Sequence, residues 1–479
     1  MARIPVLRYE EFCDVMVSLM SVEANHCVLY YAFPYQGGLR FMVCVARDEE
    51  GDIAVFSHHL NDSQAVLESL TPRIPQLHLF EREIHENFGV KFENHPWMKP
   101  VRTPYHLAIE STDADTGERS SPLRAQLVTG HWSLVTLSAS RIDEYPFYRI
   151  DSEELHEVGV GPIHAGVIEP GHFRFICNGE KVLHLEIMLG YQHRGVERMM
   201  VEEVEKVEKV EKVVPVGASL RTPVDNIVPV GAFLRTPVPI FEKRNVLRRA
   251  ILAENIAGDT AVGHGLAHAQ LMESLAGIEV PEQLKIERSI ALELERIAVH
   301  IGDTAALCTD VAYQLGQVVN EALRTTIINT TQFWCGNRFG KGLIRPGGTQ
   351  YPLIAEVANE ILRVLEDSGS RYVDMADVIY SSPTVLSRFD EIGTVTKEQA
   401  ALIGAVGMAA RTCGIPRDIR KSHPFAGYKA GAFEPVVLDS GDVLARGMLR
   451  NLEVRQSVGM VKEWLTSGEG WARFWMEGL

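Results

Sequence analysis

The segment Lys285 to Asp303 places Ile286, Ile290, Leu294, Ile297 and Ile301 on one stripe at helical spacing, with Glu293, Arg296 and His300 off it. That spacing predicts a long amphipathic helix. Several further segments after about residue 250 share the texture, so the C-terminal part is expected to be a helical bundle. Residues 1–110 read differently. YEEFCDVMVSLM has helical spacing, but CVLYYAF, GLRFMVCVA and DIAVFSH are apolar runs of strand length. They are separated by Gln36-Gly37-Gly38 and by the turn from Asp48 to Asp52, as in a meander of hairpins. Helices are expected around DSQAVLESL and FEREIHENF. The fold class is therefore α+β: a small N-terminal α/β domain, then a domain with a short β-sheet and a long-helix bundle.

Three regions follow: a domain at 1–110, a polar, irregular linker at 111–155, and a second domain at 156–479. In the last, two strands are expected around an Asn178-Gly179 hairpin, followed by a turn and a helix start. A repeat insertion occupies about 201–242. Val201 to Val213 repeats every three residues, and VPVGASLRTPV (Val214 to Val224) recurs as VPVGAFLRTPV (Val228 to Val238). Two copies do not stack a solenoid core. The insertion reads as a duplicated surface loop, tolerated because closure entropy grows slowly with length, or else as an interaction tail.

The net charge of -16 argues against a nucleic-acid binder, which needs a basic surface. The seven cysteines lie at least 14 positions apart, with no CxxC, which fits a reducing compartment rather than a disulfide framework. The same spacing leaves no in-chain iron–sulfur or zinc site of the usual paired kind. The longest apolar run, Ala401 to Ala410, covers half of the roughly 20 residues a membrane span needs, so it is expected to be a core helix. The N-terminus lacks the apolar core of a secretion signal. A membrane link is expected to run through partner proteins.

FEREIHENFGVKFENHPWMKPVR (Phe80 to Arg102) resembles the signature of the 30 kDa family of complex I, with Glu81, Arg82, Glu83, Glu86, Phe88, Gly89, His95 and Arg102 in register. The resemblance implies a docking segment formed by Glu81, Arg82, Glu83, His95 and Arg102. GPIHAGVIEPGHFRF (Gly161 to Phe175) and LEIMLGYQHRGVE (Leu185 to Glu197) resemble the opening of the group 4 [NiFe]-hydrogenase large subunit, whose fold also serves as the 49 kDa family of complex I. Its His164, Glu169 and His172 either carry protons at a cavity mouth or only pin a turn. GNRFGKGLIRPGG (Gly336 to Gly348) and ARTCGIPRDIRKSHPFAGY (Ala410 to Tyr428) are similar to further landmarks of that family. Arg411, Arg417, Asp418 and Arg420 form either a coupling network or a structural ion network.

Ala253 to Gln283 is similar to the segment where active [NiFe] hydrogenases carry their first CxxC. Here Ala257 and Thr260 stand at those positions, and His264 matches the family's histidine. A methyl has no donor atom and a neutral hydroxyl is a poor ligand for a soft metal. The tyrosine of the complex I branch is missing from this segment too. The family's second CxxC lies beyond Leu479, so its loss by truncation is expected. The resemblance implies a hydrogenase-related chain, similar to the formate hydrogenlyase large subunit and to fused 30 kDa and 49 kDa chains of complex I. It implies no NiFe centre and no cofactor of the chain's own, though it admits a quinone.

The implied partners are an iron–sulfur small subunit, other peripheral-arm subunits, and antiporter-like and quinone-site membrane subunits, at the cytoplasmic face of the cell membrane. The chain would pass electrons from the iron–sulfur partner toward a quinone-like acceptor, with His164, Glu169, His172 and His264 lining the route. The alternatives are a non-catalytic scaffold and a hydrogenase large subunit. No Gly-rich dinucleotide fingerprint is present, so NAD is expected to bind elsewhere in such a complex.

Overall fold

The computed structural model describes residues 4–61, 66–102, 111–112, 119–120, 147–164, 170–201, 240–428 and 433–467. They fall into two compact units: residues 1–194 with 395–423, and residues 195–394 with 424–479. Most of the repeat insertion, residues 202–239, lies outside the described residues.

The first unit starts with a four-stranded sheet of β1 (Val6–Leu7), β2 (Asn25–Tyr35), β3 (Gly38–Arg47) and β4 (Asp52–Leu60), in the order β1-β4-β3-β2. The last three form the expected antiparallel meander, and β1 runs parallel to β4 at the edge. Alternation along β3 buries Leu39, Phe41, Val43 and Val45. Helix α1 (Tyr9–Met20) covers that face with Phe12, Cys13 and Met16. The β2–β3 turn carries Gln36 at φ 47° and Gly37 at φ 78°, the left-handed pair that a tight hairpin requires.

Around DSQAVLESL the structure departs from the expected helix. Val66–Glu68 is a strand, β5, parallel to β6 (Lys91–Glu93), and it buries Leu67. The following Ser69 and Thr71 turn toward a buried carboxylate, and a helix would not free their amides and hydroxyls for that task. Helix α2 (His78–Phe88) follows and ends on Gly89 at φ 69°. A second sheet of three antiparallel strands, β7 (His156–Val160), β8 (His172–Asn178) and β9 (Lys181–Met188), has β8 in the centre. The Asn178-Gly179 hairpin of β8 and β9 is legible in the sequence; β7 is not.

Residues 395–423 complete this unit with three short helices, Lys397–Leu402, Gly407–Arg411 and Ile419–Ser422, around Ala400, Ala410, Cys413 and Ile415. The single core helix expected at Ala401 to Ala410 is thus broken. Gly404 at φ 69° and Gly407 at φ 59° turn the chain, and Ile403 is left 64% exposed.

The second unit is the expected bundle. Helices α3 (Ile240–Ala253) and α4 (Ala261–Ala276) precede the long α5 (Glu282–Asp310), α6 (Gln314–Cys335), α7 (Ala355–Ser381) and α8 (Val443–Thr466). The stripe Ile286, Ile290, Leu294, Ile297 and Ile301 enters one core with Leu323, Ile327, Ile361, Leu365 and Val454. Glu293 and His300, off the stripe, are buried as well, because α8 covers that second face of α5 with Glu453 and Ser457. No helix among the described residues is long and apolar enough to cross a membrane.

Candidate functional site

The loop between α3 and α4 holds the two positions of interest. Ala257 offers no donor atom. Thr260 sits just before α4, with its Oγ1 3.1 Å from His264 Nδ1, while its carbonyl accepts the same ring nitrogen at 2.8 Å. His264 is thereby held one helical turn away, its Nδ1 spent on the backbone. The first amides of α4 would otherwise lack partners. Glu295 of α5 supplies them, with Oε2 accepting from Val262 N at 2.7 Å and Oε1 from Gly263 N at 2.9 Å.

Glu295 is half-buried in a small cleft lined also by Asp259, Leu294, Arg324, Arg338 and Phe339. Burial pushes its carboxyl up to about 7, against the opposing pull of the two amides and Arg296. Arg324, opposite, is turned to Asp259 at 3.3 Å. A carboxyl that changes charge near neutrality at the start of the helix that carries His264 is equipped to take up and release protons. Nothing in the sequence singles Glu295 out, because it lies in the charged run Glu293-Leu294-Glu295-Arg296. Only the approach of α4, 33 residues upstream, gives it a role.

The Gly336 to Gly348 loop closes onto the same helices. Glu254 accepts from Gly342 N at 2.9 Å and Arg345 Nη1 at 2.5 Å. Glu273 takes both terminal nitrogens of Arg288 at 2.7 and 3.0 Å, and Gly347 N at 2.7 Å. These bonds fix the loop and α5 to α3 and α4 as a rigid frame.

In the first unit, His164 Nε2 bonds the Gly171 carbonyl at 2.8 Å, and its ring meets Phe173 edge-on at 5.4 Å. His172 opens β8 and is buried, its ring centroid 5.6 Å from that of Phe147. Neither of its ring nitrogens has a hydrogen-bond partner among the described residues. Gly159 makes room for it, since a Cβ there would stand 3.1 Å from His172 Cε1. Glu169 lies outside the described residues. His164 and His172 thus share one hairpin region, while His264 belongs to the second unit.

Arg411, Arg417, Asp418 and Arg420 do come together. Asp418 takes Arg420 Nη2 at 2.7 Å and Nε at 3.0 Å, with Arg411 Nη1 at 3.3 Å. Arg417 reaches Asp48, just past the end of β3, at 3.2 Å, and His26 lies 3.3 Å from the same oxygen. Burial alone would raise the Asp418 carboxyl, but Arg420 and Arg411 hold it below the usual carboxylate range. Burial opposes ionisation of Asp48 likewise, and His26 and Arg417 overcome it.

The docking motif is divided by α2. Glu81 is fully buried and accepts from Ser69 Oγ at 2.5 Å, Thr71 Oγ1 at 2.7 Å and Leu70 N at 2.8 Å. Burial pushes its carboxyl up despite these bonds. Arg82 donates to the carbonyls of Lys99 at 2.6 Å and Pro100 at 2.8 Å. His95 is inward too: its Nδ1 accepts from Trp97 N at 3.1 Å, and burial lowers its pKa. Glu83 and Arg102 pair at 2.7 Å and remain 28% and 24% exposed. Expected as one docking set, the five residues are thus three internal braces and one half-exposed pair, since a helix three turns long turns only one side outward.

Comparison with known proteins agrees with this architecture. Residues 5–129 match the family of the respiratory-chain NADH dehydrogenase 30 Kd subunit, and residues 314–470 that of the 49 Kd subunit. The chain thus joins in one polypeptide a region that matches the complex I 30 Kd family and one that matches the 49 Kd family. It is 23% identical to hydrogenase-4 component G of Escherichia coli K12 over 438 residues, 91% of this chain and 65% of that protein. It is also 23% identical to formate hydrogenlyase subunit 5 of the same organism, over 91% of this chain and 66% of that protein. NADH-quinone oxidoreductase subunit 4 of Thermus thermophilus is 28% identical over 65% of this chain and 66% of that protein. The chain therefore spans a little under two thirds of the length of these relatives.

Proposed function

We propose that this chain is a subunit of a membrane-associated oxidoreductase complex of the complex I and group 4 hydrogenase kind. In it the chain carries electrons from a neighbouring iron–sulfur subunit toward a quinone-like acceptor and handles the accompanying protons with its own side chains. The observation that carries the reading is the α3–α4 loop. Where a metal-binding chain would present thiolates, this one has the methyl of Ala257 and the hydroxyl of Thr260, and a carboxyl with a pKa of about 7, Glu295, converges on the same helix start. That donor set does not fit a NiFe centre, which needs soft sulfur ligands. Nothing in the proposed role of the chain runs through one.

Attachment to the cytoplasmic face of the membrane would come through partner subunits. The half-exposed pair Glu83–Arg102 is the part of the 30 Kd signature able to meet one. The three-stranded sheet supports a second contact. Its cross-strand rows Val160–Phe173–Ile187 and Val158–Phe175–Leu185 form an apolar face whose aliphatic members are 39 to 45% exposed. The same face favours the second reading, a scaffold that couples subunits with no redox role of its own.

Reconstitution of the complex with its iron–sulfur subunit separates the two. The electron-carrying reading expects quinone reduction in the wild type, and a loss of about 100-fold or more in Glu295→Gln, the scale of a positioned proton carrier. Quinone reduction absent with the iron–sulfur subunit intact sinks it. Unchanged turnover in both Glu295→Gln and His264→Gln leaves the scaffold.

A further inference from the structure

A second set of ionisable groups lies inside the bundle, with only Arg296 of the set partly exposed. Glu293, Arg296 and His300 are three and four residues apart on α5 and share a face, which Thr304 extends. Helix α8 sets Glu453 and Ser457 against it. Glu293 Oε1 accepts a very short hydrogen bond from the Tyr428 hydroxyl, and Oε2 accepts from Ser457 Oγ at 2.5 Å. Arg296 reaches Glu293 Oε2 at 3.2 Å and Glu453 Oε2 at 3.8 Å. His300 Nε2 bonds that same Glu453 oxygen at 2.7 Å. Both carboxylates are fully buried.

Most buried polar atoms in a folded chain are hydrogen-bonded, and one left idle calls for an explanation. His300 departs from this: its Nδ1 is buried and has no hydrogen-bond partner among the described residues. The nearby groups act on the ring from each packed element. They are Glu453 and Arg450 on α8, Arg296 on α5 itself, and Tyr372 on α7, whose hydroxyl is 3.2 Å from the Thr304 hydroxyl that donates to the His300 carbonyl at 2.8 Å. Burial lowers the affinity of the ring for a second proton, and the Glu453 carboxylate raises it. Burial is the larger effect, so the ring's proton affinity is lowered on balance.

We propose that His300 and Glu453 form a proton-holding site in the core of the bundle, loaded at His300 Nδ1 and coupled by charge through Arg296 to Glu293 and Tyr428. Loading takes a proton from solvent hydronium, breaking its O–H bond and leaving water, forms an Nδ1–H bond and makes the ring cationic. Transfer within the pair then breaks Nε2–H and forms O–H on Glu453 Oε2, which returns the ring to neutrality; no electron moves. Arg296 stays protonated throughout. It passes no proton, but when Glu453 is neutralised its charge bears more strongly on Glu293, which holds that carboxylate in the ionised form that accepts from Tyr428. The site is independent of any partner, so its test stands apart from that of the electron-carrying reading.

The experiment is a pH titration of the full chain labelled with ¹⁵N-histidine, with the His300 ring signals assigned by their loss in His300→Gln. The expected result is a single-proton titration of His300 with a midpoint below 6.5, the ordinary imidazole value. In Glu453→Gln the proton affinity should fall at least tenfold further, while Ser457→Ala should leave it within twofold. A His300 ring that keeps one protonation state from neutral pH to the acid limit of folding overturns the proposal. So does a midpoint that Glu453→Gln does not move. If Glu453→Gln does not fold, Arg296→Gln serves in its place. Removing that cation should raise the proton affinity of His300, and an unmoved midpoint would again overturn the site.

Discussion

Asp418 in the first unit and Glu295 in the second are both carboxylates withdrawn from water, yet they are driven in opposite directions. Asp418 is met by two guanidinium groups, and its pKa is lowered in spite of burial. Glu295 is met by two backbone amides, which are dipoles and not full charges, and burial wins, taking it to about 7. What separates a fixed ion from a titrating one is the charge of the partner more than the depth of the group. The Arg411 to Arg420 cluster is therefore built to hold, and the α3–α4 cleft to change.

Substitution at Asp418 should break this contrast most heavily. Asp418→Asn leaves Arg411 and Arg420 buried without their counter-charge and should cost about 3–5 kcal/mol in equilibrium unfolding. A loss below about 1 kcal/mol would mean that other partners carry those charges. The pH sign follows from the lowered pKa. Stability from Asp418 is present above the unfolded carboxylate value of 3.8 and is lost as pH falls through its folded value.

At Glu295 the sign reverses. A pKa raised from 4.5 to about 7 means the folded state keeps a proton that the unfolded state gives up. The stability it contributes is present below 4.5 and is lost as pH rises toward 7. Glu295→Gln should flatten that part of a profile of Tm against pH. An unaltered slope would place the titration elsewhere.

The smallest effect belongs to the Glu83–Arg102 pair. Glu83→Ala should change the stability of the isolated chain by no more than about 1 kcal/mol, since the pair is a quarter exposed. If it is a docking contact, the same change should weaken complex assembly in a pull-down with partner subunits. Equal assembly would remove it from the interface.

The two regions also differ in how far the sequence exposes them. Arg411, Arg417, Asp418 and Arg420 lie within ten residues, so their meeting is visible as a local cluster. Asp48, which anchors Arg417 from 369 residues away, is not. Glu295 is hidden because helical spacing assigns one stripe to the core and the rest to solvent, whereas α5 is enclosed on a second face. The same enclosure buries Glu293 and His300. Glu81, Arg82 and Glu83 look like one surface in the sequence, but their burial depends on where β5 and the segment from Trp97 to Arg102 pack. The strand at Val66 is invisible for a similar reason, its pairing with β6 overriding local spacing, whereas the break at Gly404 and Gly407 follows from glycines that the sequence itself displays.

The central claim is that the α3–α4 loop offers protons and no metal ligands. Infrared spectroscopy combined with nickel analysis of the complex purified from cells tests it most directly. The account predicts no cyanide or carbon monoxide stretches and no nickel assigned to this chain. Nickel near one atom per chain, with those bands present, would contradict it.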